Sequence, residues 1–127
     1  MTEIAKRRPK YLNLFEIKLP LPGWASILHR VSGAGLFLVL PFLIWLLSLS
    51  LGSPESFAIF KAVVGHPLVK LVLLGLTWAF LHHFCMGIRV LLLDLHIGIE
   101  KPQARASAIA VFVVSLLLTA LLGAKLW

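Results

Sequence analysis

Two adjacent histidines, His82 and His83, lie inside an apolar run that is long enough to cross a membrane. Ionisable side chains at bilayer depth are costly, so their presence there indicates a function. A neutral imidazole binds a metal or a haem iron without carrying net charge into lipid, which makes it a better candidate ligand than a carboxylate or an ammonium group. The pair therefore predicts a membrane redox protein.

Helical spacing around the two histidines suits a haem. His83 and Gly87 are four residues apart and share one helix face, where the glycine leaves room for a macrocycle. Arg89 lies seven residues from His82, and its long side chain can reach a haem propionate. If Asp94 marks the membrane surface, a rise of 1.5 Å per residue puts His83 about 16 Å deeper. The alternative for each histidine is a hydrogen bond to a neighbouring helix.

A second polar group opens the first apolar run. Ser26, Arg30 and Gly33 share one helix face, where a hydroxyl and a fixed cation can hold a carbonyl oxygen of a lipid-soluble ligand at the membrane boundary. Gly33, with Ala34 and Gly35, lets a neighbouring helix or a flat ligand approach closely. The alternative is that Arg30 reaches to lipid headgroups and Ser26 caps the helix.

The composition indicates a membrane protein independently of these motifs. Hydrophobic residues make up 60% of the chain and charged residues 13%, and the mean hydropathy is +0.98. Three stretches contain no Asp, Glu, Lys or Arg, and each is about long enough to span hydrocarbon: 31–51, 71–88 and 106–124. Because lipid offers the backbone no hydrogen-bond partners, we expect an all-α bundle of three transmembrane helices.

The predicted organisation is a short N-terminal segment followed by one membrane domain. Pro9, Pro20 and Pro22 disfavour a continuous helix near the N-terminus, so this segment is expected to be extended or broken along the membrane surface. A loop is predicted near residues 52–67. The predicted ranges are 1–23 for the N-terminal segment and 24–127 for the domain, with spans over roughly 25–51, 67–94 and 104–126.

Basic residues predict the orientation of the chain. They cluster before the first span and recur between the second and third spans at Lys101 and Arg105. The positive-inside rule therefore places the N-terminus in the cytoplasm and the C-terminus in the periplasm. The net charge of +7 is explained by this topology and by anionic headgroups, and a nucleic-acid partner is not expected.

Motifs in a fixed order give the chain a family resemblance. Arg8-Pro9 and Leu12-Asn13-Leu14 precede Ser26-Ile27-Leu28-His29-Arg30-Val31-Ser32-Gly33, and His83-x-x-x-Gly87-Ile88-Arg89 with Asp94 follows. In this the chain resembles the cytochrome b556 subunits of succinate dehydrogenase. The resemblance covers nearly the whole chain, and its two signatures together are much more specific than either alone.

The resemblance implies a membrane anchor of a succinate:quinone oxidoreductase in the bacterial inner membrane. Such an anchor holds a flavoprotein subunit and an iron-sulfur subunit on the cytoplasmic face, beside a second small hydrophobic anchor subunit. The complex passes electrons from succinate oxidation to ubiquinone, linking the tricarboxylic acid cycle to the respiratory chain, and the anchor is not an enzyme on its own. A fumarate reductase anchor and a purely structural anchor without cofactor are the alternatives.

The resemblance also implies roles in binding haem b. His83 corresponds to an axial ligand of the haem iron, and the opposite ligand comes from the partner anchor subunit. His82 is left without a role in haem binding. His29 and Arg30, with Arg89, are candidates for contacts with the haem propionates. Val90 stands where related chains often have histidine, so any role of that position is absent here.

The same resemblance implies that Ser26 and Arg30 help to bind ubiquinone near the iron-sulfur subunit. Electrons arriving one at a time create negative charge on a quinone oxygen, which Arg30 and Ser26 can stabilise in a poorly hydrated pocket. Two protons must accompany two electrons. Asp94 and Glu100 are candidates for a water-linked proton entry route, and the alternative for both is a solvated charge at the membrane surface.

A transporter or channel subunit is the remaining rival class. It would need polar residues along a pathway through several spans, whereas the third uncharged stretch, 106–124, offers only Ser107, Ser115 and Thr119. The sequence also has no Walker, GxGxxG or CxxC pattern. These observations disfavour transport and a soluble catalytic domain.

Overall fold

The computed structural model describes Arg8 and residues 10–127. Its helices are α1 (Leu21–Leu51), α2 (Pro54–Gly65), α3 (Pro67–Asp94) and α4 (Lys101–Leu126). Three of them, α1, α3 and α4, are long and apolar enough to cross a membrane. Over the described residues, the prediction of an all-α chain with three helices long and apolar enough to cross a membrane is confirmed.

The prediction of a loop near residues 52–67 is wrong, because α2 covers most of these residues. The helix starts after Ser53, whose hydroxyl accepts a hydrogen bond from the backbone N–H of Ser56 at 3.3 Å. Glu55 lies in the first turn, where a carboxylate complements the helix dipole, and a hydrogen bond with Ser53 lowers the pKa of its carboxyl group. His66 ends α2 and caps α3, so no free loop separates the two helices.

Prolines set where α1 begins. Pro20 is its extended N-cap residue and Pro22 lies in its first turn, where a missing N–H costs no helical hydrogen bond. The helix thus starts at Leu21, before the predicted start of the span, and it continues through Pro41. Residues 10–20 contain no helix, as expected for the N-terminal segment. Pro9 lies outside the described residues.

Helix α3 packs between α1 and α4. It runs antiparallel to α4, because Arg89, near its end, contacts the start of α4, while Leu74, near its beginning, lies beside Gly123 at the end of α4. It also runs antiparallel to α1, because His82 contacts Ala25 at the start of α1, while Leu73 lies in the same pocket as Leu43, further along α1. Ala25 and Ala108 are fully buried around Met86. Small residues at such contacts let helix backbones approach closely, which is how helices associate where lipid supplies no hydrophobic driving force. Most large apolar side chains face outward, as expected for helices that lie in lipid.

Candidate functional site

The His83 imidazole lies between α3 and α1 and is oriented by its Nδ1 atom. That atom is 3.1 Å from the backbone oxygen of His29 and 3.3 Å from Oγ of Ser32. The Ser32 hydroxyl in turn donates to the same His29 oxygen at 2.9 Å. Because a carbonyl oxygen can only accept, Nδ1 carries the proton and Nε2 keeps its lone pair. His83 thus offers Nε2 as a ligand atom, and a hydrogen bond from the other ring nitrogen is the usual way in which a metal-binding histidine is oriented.

Gly33 and His29 fix the position of the same ring. A methyl group added at Gly33 would lie 2.7 Å from Cε1 of His83 and 3.2 Å from its Nδ1, so any larger residue would displace the imidazole. The His29 ring stacks on His83 with centroids 4.3 Å apart. At Gly35 and Gly87, by contrast, an added methyl group meets no described atom within 4 Å. Gly33 is therefore the glycine on which the contact between α1 and His83 depends.

His82 is in a different environment from its neighbour. It is 0% exposed, and its Nε2 lies 3.3 Å from the backbone oxygen of Ala25, so Nε2 carries the proton. Its bare Nδ1 has no hydrogen-bond partner among the described residues. The ring is packed between Trp78 and Phe112, with both centroid distances 5.3 Å. The two histidines thus adopt opposite tautomers, and the lone pair of His82 is enclosed within the protein.

Arg89 is turned towards α4. Its Nε donates to Oγ of Ser107 at 2.8 Å, and its Nη2 donates to the backbone oxygen of Ala104 at 3.1 Å. The residue is 7% exposed. The side-chain contacts of His83 run to α1, so the two residues face different neighbouring helices. The structure does not bring the Arg89 guanidinium together with His83, and neither Ser107 nor Ala104 belongs to a motif that the sequence analysis singled out.

We expect Arg89→Gln to loosen the contact between α3 and α4. Hydrogen bonds between membrane helices contribute about 1 kcal/mol, and Arg89 makes two to α4. A double-mutant cycle with Ser107→Ala, followed by thermal denaturation of the purified protein, should show a coupling of about 0.5–1.5 kcal/mol. Arg105→Gln, at an exposed position of α4, is the control. Strictly additive effects would show that the Arg89–Ser107 contact contributes nothing.

The remaining predicted site residues lie along α1 and at one end of the bundle. Ser26 is partly buried and Arg30 is exposed, and both lie on the part of α1 that contacts His82 and His83. From an exposed position the Arg30 guanidinium can contact a ligand or a partner subunit.

Asp94 and Glu100 flank the connection between α3 and α4, and both are exposed. A cavity of about 440 Å³ beside this connection is lined by Pro20 of α1 and by Lys101 and Arg105 of α4, among others. The start of α1 and the acidic pair therefore lie at the same end of the bundle. This end also carries Lys101 and Arg105, two of the basic residues used to predict the orientation.

Comparisons with known proteins agree on one family. The family described as "Succinate dehydrogenase/Fumarate reductase transmembrane subunit" matches residues 4–122. A protein of Coxiella burnetii named "Succinate dehydrogenase cytochrome b556 subunit" is 36% identical, over 95% of this chain and 98% of its own length. Proteins of the same name are 32% identical in Rickettsia typhi, over 94% of both chains, and 33% identical in Paracoccus denitrificans, over 90% of this chain and 88% of its own. The chain belongs to the succinate dehydrogenase/fumarate reductase transmembrane subunit family.

Proposed function

We propose that the chain is the membrane-anchor cytochrome b subunit of a succinate:quinone oxidoreductase, and that His83 is its ligand to the iron of haem b. The observation that carries the proposal is the hydrogen bond from Nδ1 of His83 to the His29 carbonyl, which leaves Nε2 bare. The names of the relatives support the cytochrome assignment. When bound, the haem would supply one-electron redox chemistry, and it would be shared with the other anchor subunit.

The residues around His83 fit a haem ligand. Ligation by Nε2 needs a neutral ring whose orientation is fixed by a bond at Nδ1, and the His29 carbonyl and Ser32 hydroxyl supply that bond. His29 and Arg30 lie on the adjoining turn of α1 and are the propionate contacts that this geometry favours. Arg89 was also a candidate, but the contacts of its guanidinium with α4 support a role in helix packing instead.

Ser26 and Arg30 are the proposed ubiquinone contacts. The Ser26 hydroxyl donates a hydrogen bond to a quinone carbonyl oxygen and orients the ring. The Arg30 guanidinium stabilises negative charge on that oxygen, an effect that is strong where water is scarce. Asp94 and Glu100, at the same end of the bundle, are proposed to hold water that delivers protons to the reduced oxygen.

We further propose that this end of the bundle faces the cytoplasm and that the membrane is the bacterial inner membrane. The basic residues Lys101 and Arg105 support this orientation. The flavoprotein and iron-sulfur subunits would then dock beside Ser26 and Arg30, while α2 and the C-terminus face the periplasm. The names of the relatives favour succinate oxidation over fumarate reduction as the direction of electron flow.

Purification in mild detergent tests this proposal. We expect the chain to co-purify with flavin- and iron-sulfur-containing subunits and with a b-type haem spectrum. Isolation of the chain alone, without other subunits and without a haem spectrum, would contradict the proposal. The assembled but haem-free complex would favour the purely structural anchor.

Gly33→Ala should disturb the haem while Gly35→Ala should not. The new methyl group at Gly33 would lie 2.7 Å from the His83 ring, whereas the one at Gly35 meets no described atom within 4 Å. The ring must move, and the ligand atom moves with it. We expect the Gly33 variant to show reduced haem content or a shifted haem absorption band, measured per mole of assembled complex. Identical haem spectra for the two variants would contradict the proposed position of the His83 imidazole as the haem ligand.

A further inference from the structure

His82 and His83 bind two backbone carbonyls of α1 that lie one helical turn apart. His82 donates from Nε2 to the oxygen of Ala25, and His83 donates from Nδ1 to the oxygen of His29. Consecutive residues of α3 thus form hydrogen bonds with consecutive turns of α1. His83 leaves its other nitrogen available to a ligand, whereas His82 offers nothing outside the protein.

The burial of His82 shows that its hydrogen bond is a fixed part of the helix contact. The side chain is 0% exposed, and Trp78 and Phe112 pack on its ring at centroid distances of 5.3 Å. The ring cannot turn without separating these side chains. Its Nδ1 is buried without a described partner, a cost that an apolar side chain of similar size would not carry. The contribution that sets an imidazole apart from such a side chain is therefore the Nε2–H bond to α1.

That bond acts on the turn of α1 from which the proposed quinone contacts project. Ser26 directly follows Ala25, and Arg30 directly follows His29. We propose that His82 is a positioning residue that fixes this turn, so that Ser26 and Arg30 keep a constant position relative to His83. This inference rests on the proposed quinone site, and it assigns His82 no contact with haem or quinone.

The test compares His82→Leu with His82→Gln in the assembled complex. Leucine fills the space without a donor, whereas the glutamine amide nitrogen can replace the imidazole Nε2–H. Small misplacements of a binding group have large kinetic effects, so we expect His82→Leu to raise KM for a short-chain ubiquinone about tenfold. We expect His82→Gln to recover most of this loss. Succinate-dependent reduction of a water-soluble dye at the soluble subunits should be unchanged in both.

Phe84→Leu, at an exposed position of the same helix, is the control for a change of side-chain volume. An unchanged KM in His82→Leu would overturn the proposal, as would equal increases in the leucine and glutamine variants. A merely structural role would reduce the yield of complex without raising KM, and this result would also overturn the proposal.

Two further measurements keep the test decisive. The first is quinone reduction by Arg30→Ala. If Arg30→Ala loses quinone reduction while His82→Leu keeps the wild-type KM, the His82 proposal alone is overturned. If Arg30→Ala retains quinone reduction, the proposed quinone site is overturned.

The second applies if His82→Leu does not assemble. In that case 15N NMR of the histidine-labelled wild-type complex determines the tautomer of His82, whose signals are assigned by their loss in His82→Gln. We expect a bare Nδ1 and a protonated Nε2. A bare Nε2 would overturn the proposal.

Discussion

His83→Ala is expected to remove haem b from the complex or to leave it with a clearly altered spectrum. The substitution deletes the proposed iron ligand, and even changes behind a metal ligand lower affinity by about 10–100-fold. We therefore expect at least a tenfold loss of haem affinity. The measurement is the reduced-minus-oxidised absorption spectrum per mole of complex.

His96→Asn is the matched histidine control for that experiment. His96 is exposed in the connection after α3 and has a φ of 61°, a backbone conformation that asparagine tolerates. Its spectrum should equal that of the wild type. An unaltered spectrum in His83→Ala would transfer the ligand role to another residue.

Arg30→Ala is expected to depress quinone reduction on the order of 100-fold while leaving haem largely intact, because loss of one donor that stabilises developing oxygen charge has an effect of this size. Arg30 is proposed to contact a haem propionate as well as the quinone oxygen, but the proposed iron ligand His83 retains its own contacts with His29 and Ser32. The assay compares succinate-dependent reduction of ubiquinone with that of a water-soluble dye, which reports on the soluble subunits alone.

Two variants sharpen the Arg30 experiment. Arg30→Lys keeps the charge but loses the planar fork of donors, so it should recover only part of the activity. Arg105→Gln removes an exposed cation at the same end of the bundle and should retain quinone reduction, which separates a local effect from loss of general positive charge. Full quinone reductase activity in Arg30→Ala would rule out the proposed quinone contact.

The three long helices were predictable because lipid restricts a spanning segment to an apolar helix of a known length. Helix α2 was not predicted, although its signal was present. Gly52, Ser53 and Pro54 are typical of a turn, but serine followed by proline and an acidic residue is also the start of a helix. Whether these residues form a turn or start a helix depends on the residues that follow them. The uncharged stretches that identify membrane spans carry no information about a short helix between two spans.

The different roles of His82 and His83 could be predicted only in part. Spacing to Gly87 favoured His83, and a hydrogen bond to a neighbouring helix was an open alternative for both. The tautomers depend on the carbonyls of Ala25 and His29, which are far away in the chain and belong to no side-chain motif. Only the packing of α1 against α3 brings them into contact.

The contacts of Gly33 and Arg89 could likewise be predicted only in part, because they depend on how the helices pack. The run at Gly33 predicted a close approach, but the sequence could not identify the His83 ring as the group that approaches. For Arg89, side-chain length established how far the guanidinium reaches and not in which direction. Its direction is set by Ser107 and by the Ala104 carbonyl on α4.

The most direct test of the account is rescue of His83→Gly by free imidazole. Removing the side chain opens a space beside Gly33 and His29 in which a free imidazole can take the place of the ring. We predict that the variant complex, reconstituted with haem, lacks the wild-type haem spectrum and regains it when imidazole is added. A His83→Gly complex with the wild-type spectrum before any imidazole is added would contradict the central claim.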